Sequence, residues 1–189
     1  MDDVVVEGIG NIECKKIPFP ECGDNDVIIL TERSGICSTD VIRSMKTGFY
    51  RYPIVPGHEF CGVVVKKGKN VSNVEIEDNV VVYPLIPCKK CVPCMAGHHN
   101  LCDTYDFLGS RSNGGHAEYV KCPSENLLKI PKNTSFDEAC MAEPSSVGLH
   151  ANRVSGKGVN VVVMGLGPIG FFTAQWAKIL GANHIFGVD

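Results

Sequence analysis

Pro87-Cys88-Lys89-Lys90-Cys91-Val92-Pro93-Cys94-Met95-Ala96-Gly97-His98-His99-Asn100-Leu101-Cys102 carries four thiols in a C-x2-C-x2-C-x7-C array. With Lys89, Lys90, Pro93, Gly97 and Asn100 between them, the segment has no apolar face to bury, so these cysteines make poor core material. Their spacing suits a metal cage. Gaps of two residues let the backbone curl around one ion, and four sulfurs with no place for water match the closed, tetrahedral kind of structural zinc site. Buried or disulfide-bonded cysteines are the bland alternative. An iron–sulfur cluster is another, but the bacterial cluster run ends C-x3-C-P, whereas here the last gap is seven residues and Asp103 follows Cys102.

Around this array the 189-residue chain is ordinary: 44% hydrophobic, 21% charged, formal net charge −3. That balance speaks against a nucleic-acid or anionic-membrane surface, which needs clustered Lys and Arg. The start Met-Asp-Asp-Val lacks a basic n-region and an apolar h-region, so no signal peptide is expected. No apolar run reaches the ~18 residues of a membrane span. Ten cysteines without a secretion signal point to a reducing, cytoplasmic setting, with thiols as metal ligands or small hydrophobes. Cys14, Cys22, Cys61, Cys122 and Cys140 are expected to be unliganded, and His98 and His99 to be solvated loop residues.

Upstream of about Pro131 the pattern is short apolar runs broken by turn signals. Val27–Leu30, Cys61–Val65, Val80–Tyr83 and Ala117–Val120 read as strands. Long irregular joints between them suggest a partly open barrel rather than a βαβ sheet. Ser38-Thr39-Asp40, directly after Cys37, looks like the first turn of a short helix. Downstream, Ser135 and Glu138 form a capping-box pattern, predicting a helix that runs toward Glu143 and ends or bends at Pro144.

A different unit follows. Val159 to Met164 is an apolar run of the kind buried on both sheet faces. Gly165-Leu166-Gly167-Pro168-Ile169-Gly170 comes next, then a helix predicted to bury Ile169, Phe172, Trp176 and Leu180, with Gly181 as its C-terminal cap. A second strand, His184 to Val188, leads to Asp189, nineteen positions beyond Gly170. Strand, G-x-G-x-x-G, helix, strand and acidic residue together form a dinucleotide fingerprint. Gly165 permits the turn, Gly167 lets backbone approach a pyrophosphate, and Gly170 lets helix and strand pack closely. Pro168 and Ile169 open the helix whose N-terminus attracts phosphate. Asp189 can accept from a ribose 2′-hydroxyl and repels a 2′-phosphate, which favours NAD over NADP. A complete nucleotide fold needs more strands than two, so the chain is expected to be part of a longer protein.

Gly57-His58-Glu59-x-x-Gly62-x5-Gly68-x-x-Val71, with Cys37 before it and Glu143-Pro144 after it, falls in one order with the cysteine lobe and the glycine fingerprint. The whole set resembles the zinc-dependent medium-chain alcohol and polyol dehydrogenases. The run Tyr105 to Arg111 through Gly114-Gly115 to Ala117-Glu118-Tyr119 leans toward the polyol branch. The resemblance implies a mixed α/β protein. Residues 1–145 would form a GroES-like catalytic domain with a partly open β-barrel, and 146–189 the first βαβ of a Rossmann domain. It implies two zinc ions. Cys37, His58, Glu59 and Glu143 would hold a catalytic ion, and Cys88, Cys91, Cys94 and Cys102 a structural one. Thr39 stands at the family's proton-relay position and Asp40 at that of the carboxylate orienting the histidine. The implied activity is NAD-linked oxidation of a secondary hydroxyl on a sugar alcohol or its phosphate, by an enzyme that is commonly a homo-oligomer. Another zinc dehydrogenase, acting on threonine or a simple alcohol, and a non-catalytic zinc-binding remnant are the competing expectations. A lone Arg111 is expected in a surface ion pair, although reading a substrate phosphate is open to it. His116 stands where close relatives carry an aromatic residue. His150 and His184 are expected to be structural.

Overall fold

The computed structural model describes residues 1–156 and 160–189. The chain forms two compact units, Met1–Cys140 and Met141–Asp189. No helix among the described residues is long and apolar enough to cross a membrane.

The first unit starts with a hairpin of β1 (Asp2–Gly8) and β2 (Asn11–Lys16), followed by β3 (Asp26–Gly35), and a short helix α1 (Ser38–Ile42) that widens into a π-turn over Arg43–Thr47. Then come β4 (Glu59–Lys67), β5 (Asn79–Val82), β6 (Leu85–Ile86), α2 (Val92–Met95), β7 (Asp106–Phe107), β8 (Tyr119–Pro123), β9 (Leu127–Lys129) and α3 (Phe136–Ala139). Five strands pair antiparallel in the order β8-β3-β4-β5-β9, and β6 pairs with β7. β-Branched residues dominate these strands because they pack well on a pleated surface. Val27, Ile29, Phe60, Val64, Val80, Val82, Val120 and Leu127 form the core, with Val71, Val74 and Leu108 closing it from the loops.

All four runs expected to be strands lie on this sheet. The fourth is shifted: Ala117 meets Asp3 through an isolated bridge and β8 proper starts at Tyr119. The Ser135–Glu138 capping box is present, with Glu138 N–H donating to Ser135 Oγ and Ser135 N–H to Glu138 Oε2. The helix it opens ends after one turn, and a new helix starts at Ala142. Pro144 therefore sits in a first turn, where its missing N–H costs nothing, rather than at a helix end.

The second unit contains α4 (Ala142–Ser155), β10 (Asn160–Met164), α5 (Pro168–Ile179) and β11 (His184–Val188). The predicted change of domain at residue 145 falls inside α4. β10 and β11 are parallel, as a βαβ unit requires. The Val159 end of the predicted strand lies outside the described residues. α4 and α5 pack where Gly148 lies against the Phe172 and Thr173 backbone. The Asn152 amide ties the contact by donating to Gly148 O and Thr173 O, and Trp176 Nε1–H donates to Ser145 Oγ.

That packing rotates the buried face of α5. Ala177 is buried and Phe172 and Trp176 are partly covered, whereas Ile169 and Leu180 are exposed, contrary to the periodicity. β10 also departs from the expectation of burial on both faces: Val163 is covered but Val162 and Met164 are exposed, because a single neighbouring strand leaves the rest of that sheet surface bare. Gly181, at φ +95°, ends α5 as predicted, with Ala182 N–H reaching Ala177 O.

Asp3, on β1, is 2% exposed, and neither carboxylate oxygen has a hydrogen-bond partner. Burial pushes its carboxyl up to about 6. The folded state therefore holds a proton that the unfolded chain has already released, so stability falls as pH rises from about 4 to 6. Urea melts across that window should show a loss on the order of 2 kcal/mol, absent in Asp3→Asn, by the linkage between pKa and stability. Equal pH dependence in both proteins would refute the assignment to Asp3.

Candidate metal centres and dinucleotide loop

Antiparallel register builds the first centre. Gly35, the last residue of β3, pairs with Glu59, the first of β4, so Cys37 just beyond one strand and His58 just before the other meet at the same sheet end. One donor atom from each of Cys37, His58 and Glu59 lies within 4.8 Å of the others. A thiolate, an imidazole and a carboxylate are the donors that zinc takes. Glu143 lies in the first turn of α4, in the second unit.

Four contacts fix the cluster. Asp40, buried in α1, accepts from the Cys37 N–H at 3.1 Å, and its Oδ1 lies 3.3 Å from His58 Nδ1. That pairing puts the imidazole proton on Nδ1 and the lone pair on Nε2, the tautomer a metal needs at Nε2. Burial acts to raise the Asp40 carboxyl, but the His116 and His58 imidazoles facing it outweigh that and hold it well below the usual carboxylate range. Phe107 packs edge-on against the His58 ring. Thr39 Oγ1 donates to Cys37 Sγ at 3.2 Å.

The turn before His58 is held by the 109–116 loop. Gly114 N–H donates to Val55 O, Gly115 N–H to Gly57 O, and His116 N–H to Pro56 O. A Cβ at Gly114 would collide with the Gly57 carbonyl oxygen, so only glycine allows this approach. The Gly114-Gly115 pair thus acts on His58 through the backbone.

His116 was not among the expected site residues, yet it reaches the same carboxylate: its Nε2 is 3.7 Å from Asp40 Oδ2, and Nδ1 is 2.9 Å from Ser34 Oγ. The only signal in the sequence was a histidine in an aromatic position, which does not name a partner 76 residues upstream. Arg111 is also placed differently from the expectation. Among the described residues it forms no ion pair with a carboxylate; its guanidinium lies over the Tyr50 ring at 4.0 Å and the Tyr105 ring at 4.4 Å.

The second centre is the cysteine lobe. Sγ atoms of Cys88, Cys91, Cys94 and Cys102 all lie within 4.8 Å of one another; sulfurs around a zinc with 2.3 Å bonds stand about 3.8 Å apart. No disulfide joins any of the ten cysteines. Cys91 precedes α2, Cys94 lies within it, and the Cys88 N–H donates to Cys102 Sγ at 3.2 Å. Backbone N–H of Lys90, the Thr104 hydroxyl and the N–H of Cys91 pull the Cys88 thiol down, toward thiolate. Burial beside the other sulfurs pushes Cys94 up, the strain that a cation relieves. Val92, Met95 and Leu101 are exposed, so the lobe has no apolar core of its own. His98 and His99 are exposed, as expected.

The glycine loop follows the fingerprint closely. Gly165 has φ +89°, and a Cβ at Gly170 would strike the Gly165 carbonyl oxygen. Gly167 faces open space, the room a pyrophosphate needs. Gly165, Gly167, Pro168, Ile169, Gly170 and Thr173 line a cavity of about 520 Å³. Asp189 Oδ1 accepts from Leu166 N–H at 2.9 Å, tying the end of β11 to the loop.

Residues 23–132 match the alcohol dehydrogenase GroES-like domain. Galactitol 1-phosphate 5-dehydrogenase of Escherichia coli K12 is 34% identical over 100% of this chain and 56% of its own length. L-Idonate 5-dehydrogenase of Vitis vinifera is 38% identical over 96% of this chain and 52% of its own. A crystal structure of a Sinorhizobium meliloti 1021 protein, titled a zinc-binding dehydrogenase bound to NADP, superposes with TM-score 0.95 at 34% identity, covering 98% of this chain and 55% of that one. The chain spans about half the length of the relatives it matches. With a matching domain over more than half its residues and a mixed α/β fold shared along its length, the chain belongs to the zinc-type alcohol dehydrogenase family.

Proposed function

We propose that the complete protein is an NAD-linked, zinc-dependent dehydrogenase that oxidises a secondary hydroxyl of a sugar alcohol or a sugar-alcohol phosphate. The observation that carries this reading is the Cys37–His58–Glu59 cluster, with Asp40 seated against His58 Nδ1. Three mixed donors differ from the closed four-sulfur lobe by leaving a coordination position for substrate. The named substrates of the two relatives, galactitol 1-phosphate and L-idonate, are both polyhydroxylated.

Each residue has a task that its place allows. Cys37, His58 and Glu59 would hold the ion and leave the fourth position open. Zinc bound there supplies a Lewis acid that acidifies a substrate hydroxyl. Thr39, exposed and hydrogen-bonded to Cys37 Sγ, is the side chain able to pass the released proton to solvent. Asp40 and, behind it, His116 keep the His58 ring from turning. On the other unit, the open backbone at Gly167 and the start of α5 would receive the pyrophosphate. The Asp189 carboxylate supports NAD by its charge, although the Sinorhizobium meliloti relative was crystallised with NADP. The cysteine lobe would hold the second ion for folding alone.

Cobalt substitution tests the reading on this chain without requiring turnover. Adding sorbitol should perturb the visible spectrum of the Cys37-centred cobalt, and the perturbation should vanish in Cys37→Ser. A spectrum that ignores every polyol would support a non-catalytic zinc-binding role. Asp40→Asn should weaken zinc at the Cys37 centre by roughly 10- to 100-fold, the usual cost of losing such a partner, while the cysteine lobe keeps its ion; chelator competition separates the two.

A further inference from the structure

Arg43 and Arg111 converge on one ring. Arg111 lies over Tyr50 at 4.0 Å and Arg43 over the same ring at 5.0 Å, with Tyr105 against the other guanidinium contact of Arg111 at 4.4 Å. Among the described residues neither arginine forms an ion pair with a carboxylate. Arg111 Nε is buried and has no hydrogen-bond partner. Two cations gathered on one ring, with no anion beside them, repel each other. A buried N–H without an acceptor adds a desolvation cost. Arg43 also holds the Tyr50 phenol below its usual range through a hydrogen bond, a second sign of local positive potential.

The stack adjoins the first metal centre. Thr39, Ile42, Arg43, Thr47, Gly48, Phe49 and Tyr50 line an open cavity of about 510 Å³, and Thr39 is the residue that bonds Cys37 Sγ. Thr39 and Arg43 are four residues apart, roughly 6 Å along a helix axis. That distance is comparable to the length of a short sugar alcohol. Arg43 spends one N–H on the Tyr50 phenol and Arg111 bonds the Tyr105 and Tyr50 phenols, but a guanidinium carries five N–H donors, and those remaining can meet phosphate or carboxylate oxygens.

We propose that Arg43 and Arg111, held by Tyr50 and Tyr105, form a subsite for an anionic group, phosphate or carboxylate, at the far end of the substrate whose hydroxyl meets the Cys37–His58–Glu59 centre. The proposal rests on the dehydrogenase reading and narrows it to substrates with a charged terminus. The tyrosines pre-orient the two cations, so specificity for the anion comes from residues that take no part in the hydroxyl chemistry.

Calorimetric titration of the zinc-loaded chain with sorbitol, gluconate and sorbitol 6-phosphate tests it, alongside inorganic phosphate followed by phosphorus NMR. At least one anionic probe should bind at least tenfold more tightly than sorbitol. Arg43→Gln and Arg111→Gln should each remove roughly tenfold or more of that affinity, the scale of a charge-assisted hydrogen bond, with sorbitol binding and zinc content unchanged. Preference for sorbitol 6-phosphate assigns a phosphate and preference for gluconate a carboxylate. Arg43 is at the cavity wall, so Arg43→Gln serves where Arg111→Gln disturbs folding. Equal binding of the three polyols, or affinity for the preferred anion untouched in Arg43→Gln, overturns the subsite and leaves the dehydrogenase reading standing. Phosphate binding that depends on both arginines, with no polyol bound at all, supports the subsite and sinks the polyol reading instead.

Discussion

Asp40 is the point at which three distant stretches of the first unit meet. Its carboxylate accepts from the Cys37 N–H, lies 3.3 Å from His58 Nδ1 and 3.7 Å from His116 Nε2. A buried carboxylate is costly unless donors surround it, and here the donors come from the end of β3 and from the turn ahead of β4, with the His116 ring of the glycine-rich loop facing it at 3.7 Å. Satisfying that one charge therefore sets the geometry of the cluster: the ring of His58 is fixed, Cys37 is held at the helix start, and Glu59 enters the strand beside them. The glycines of the loop contribute through what they lack. Gly114 admits its backbone next to Gly57, and a side chain there would push His58 away.

The two candidate metal centres follow different physical logic. The Cys37 centre sits on sheet ends whose core would form without an ion, so its ligands are pre-positioned by register and by Asp40. The cysteine lobe exposes Val92, Met95 and Leu101 and has little besides short turns and the Lys89–Glu125 ion pair to hold it. Four sulfurs drawn together in such a segment would gain cohesion from a cation, and metal bound there would contribute folding free energy. One candidate centre is a site placed by the fold, and the other would be a piece of fold placed by an ion.

Local patterns carried much of this into the sequence. The C-x2-C-x2-C-x7-C spacing, the β-branched runs, the capping box at Ser135 and the glycine turn at Gly165 each depend on neighbours a few residues away, and the structure has them. The elements that were misjudged depend on distant packing. Ile169 and Leu180 share a helical period with Phe172 and Trp176, but the contact at Gly148 turns α5 so that Ala177 is buried instead. Pro144 reads as a stop from its ring alone, whereas a proline three residues into a new helix is equally allowed. His116 and the stacking of Arg111 between tyrosines were not legible, because each arises from chain segments brought together only by the sheet.

Zinc content per chain tests the account most directly, compared among the unmodified chain, Cys37→Ser and Cys94→Ser. Two separate centres predict two ions per chain, falling to one in Cys37→Ser with the fold retained. Cys94→Ser should also fall to one, with loss of order confined to residues 88–102 as seen by amide exchange. One ion per chain, indifferent to Cys37→Ser and abolished by Cys94→Ser, would contradict the account, since the cluster ordered by Asp40 would then hold no metal in this chain.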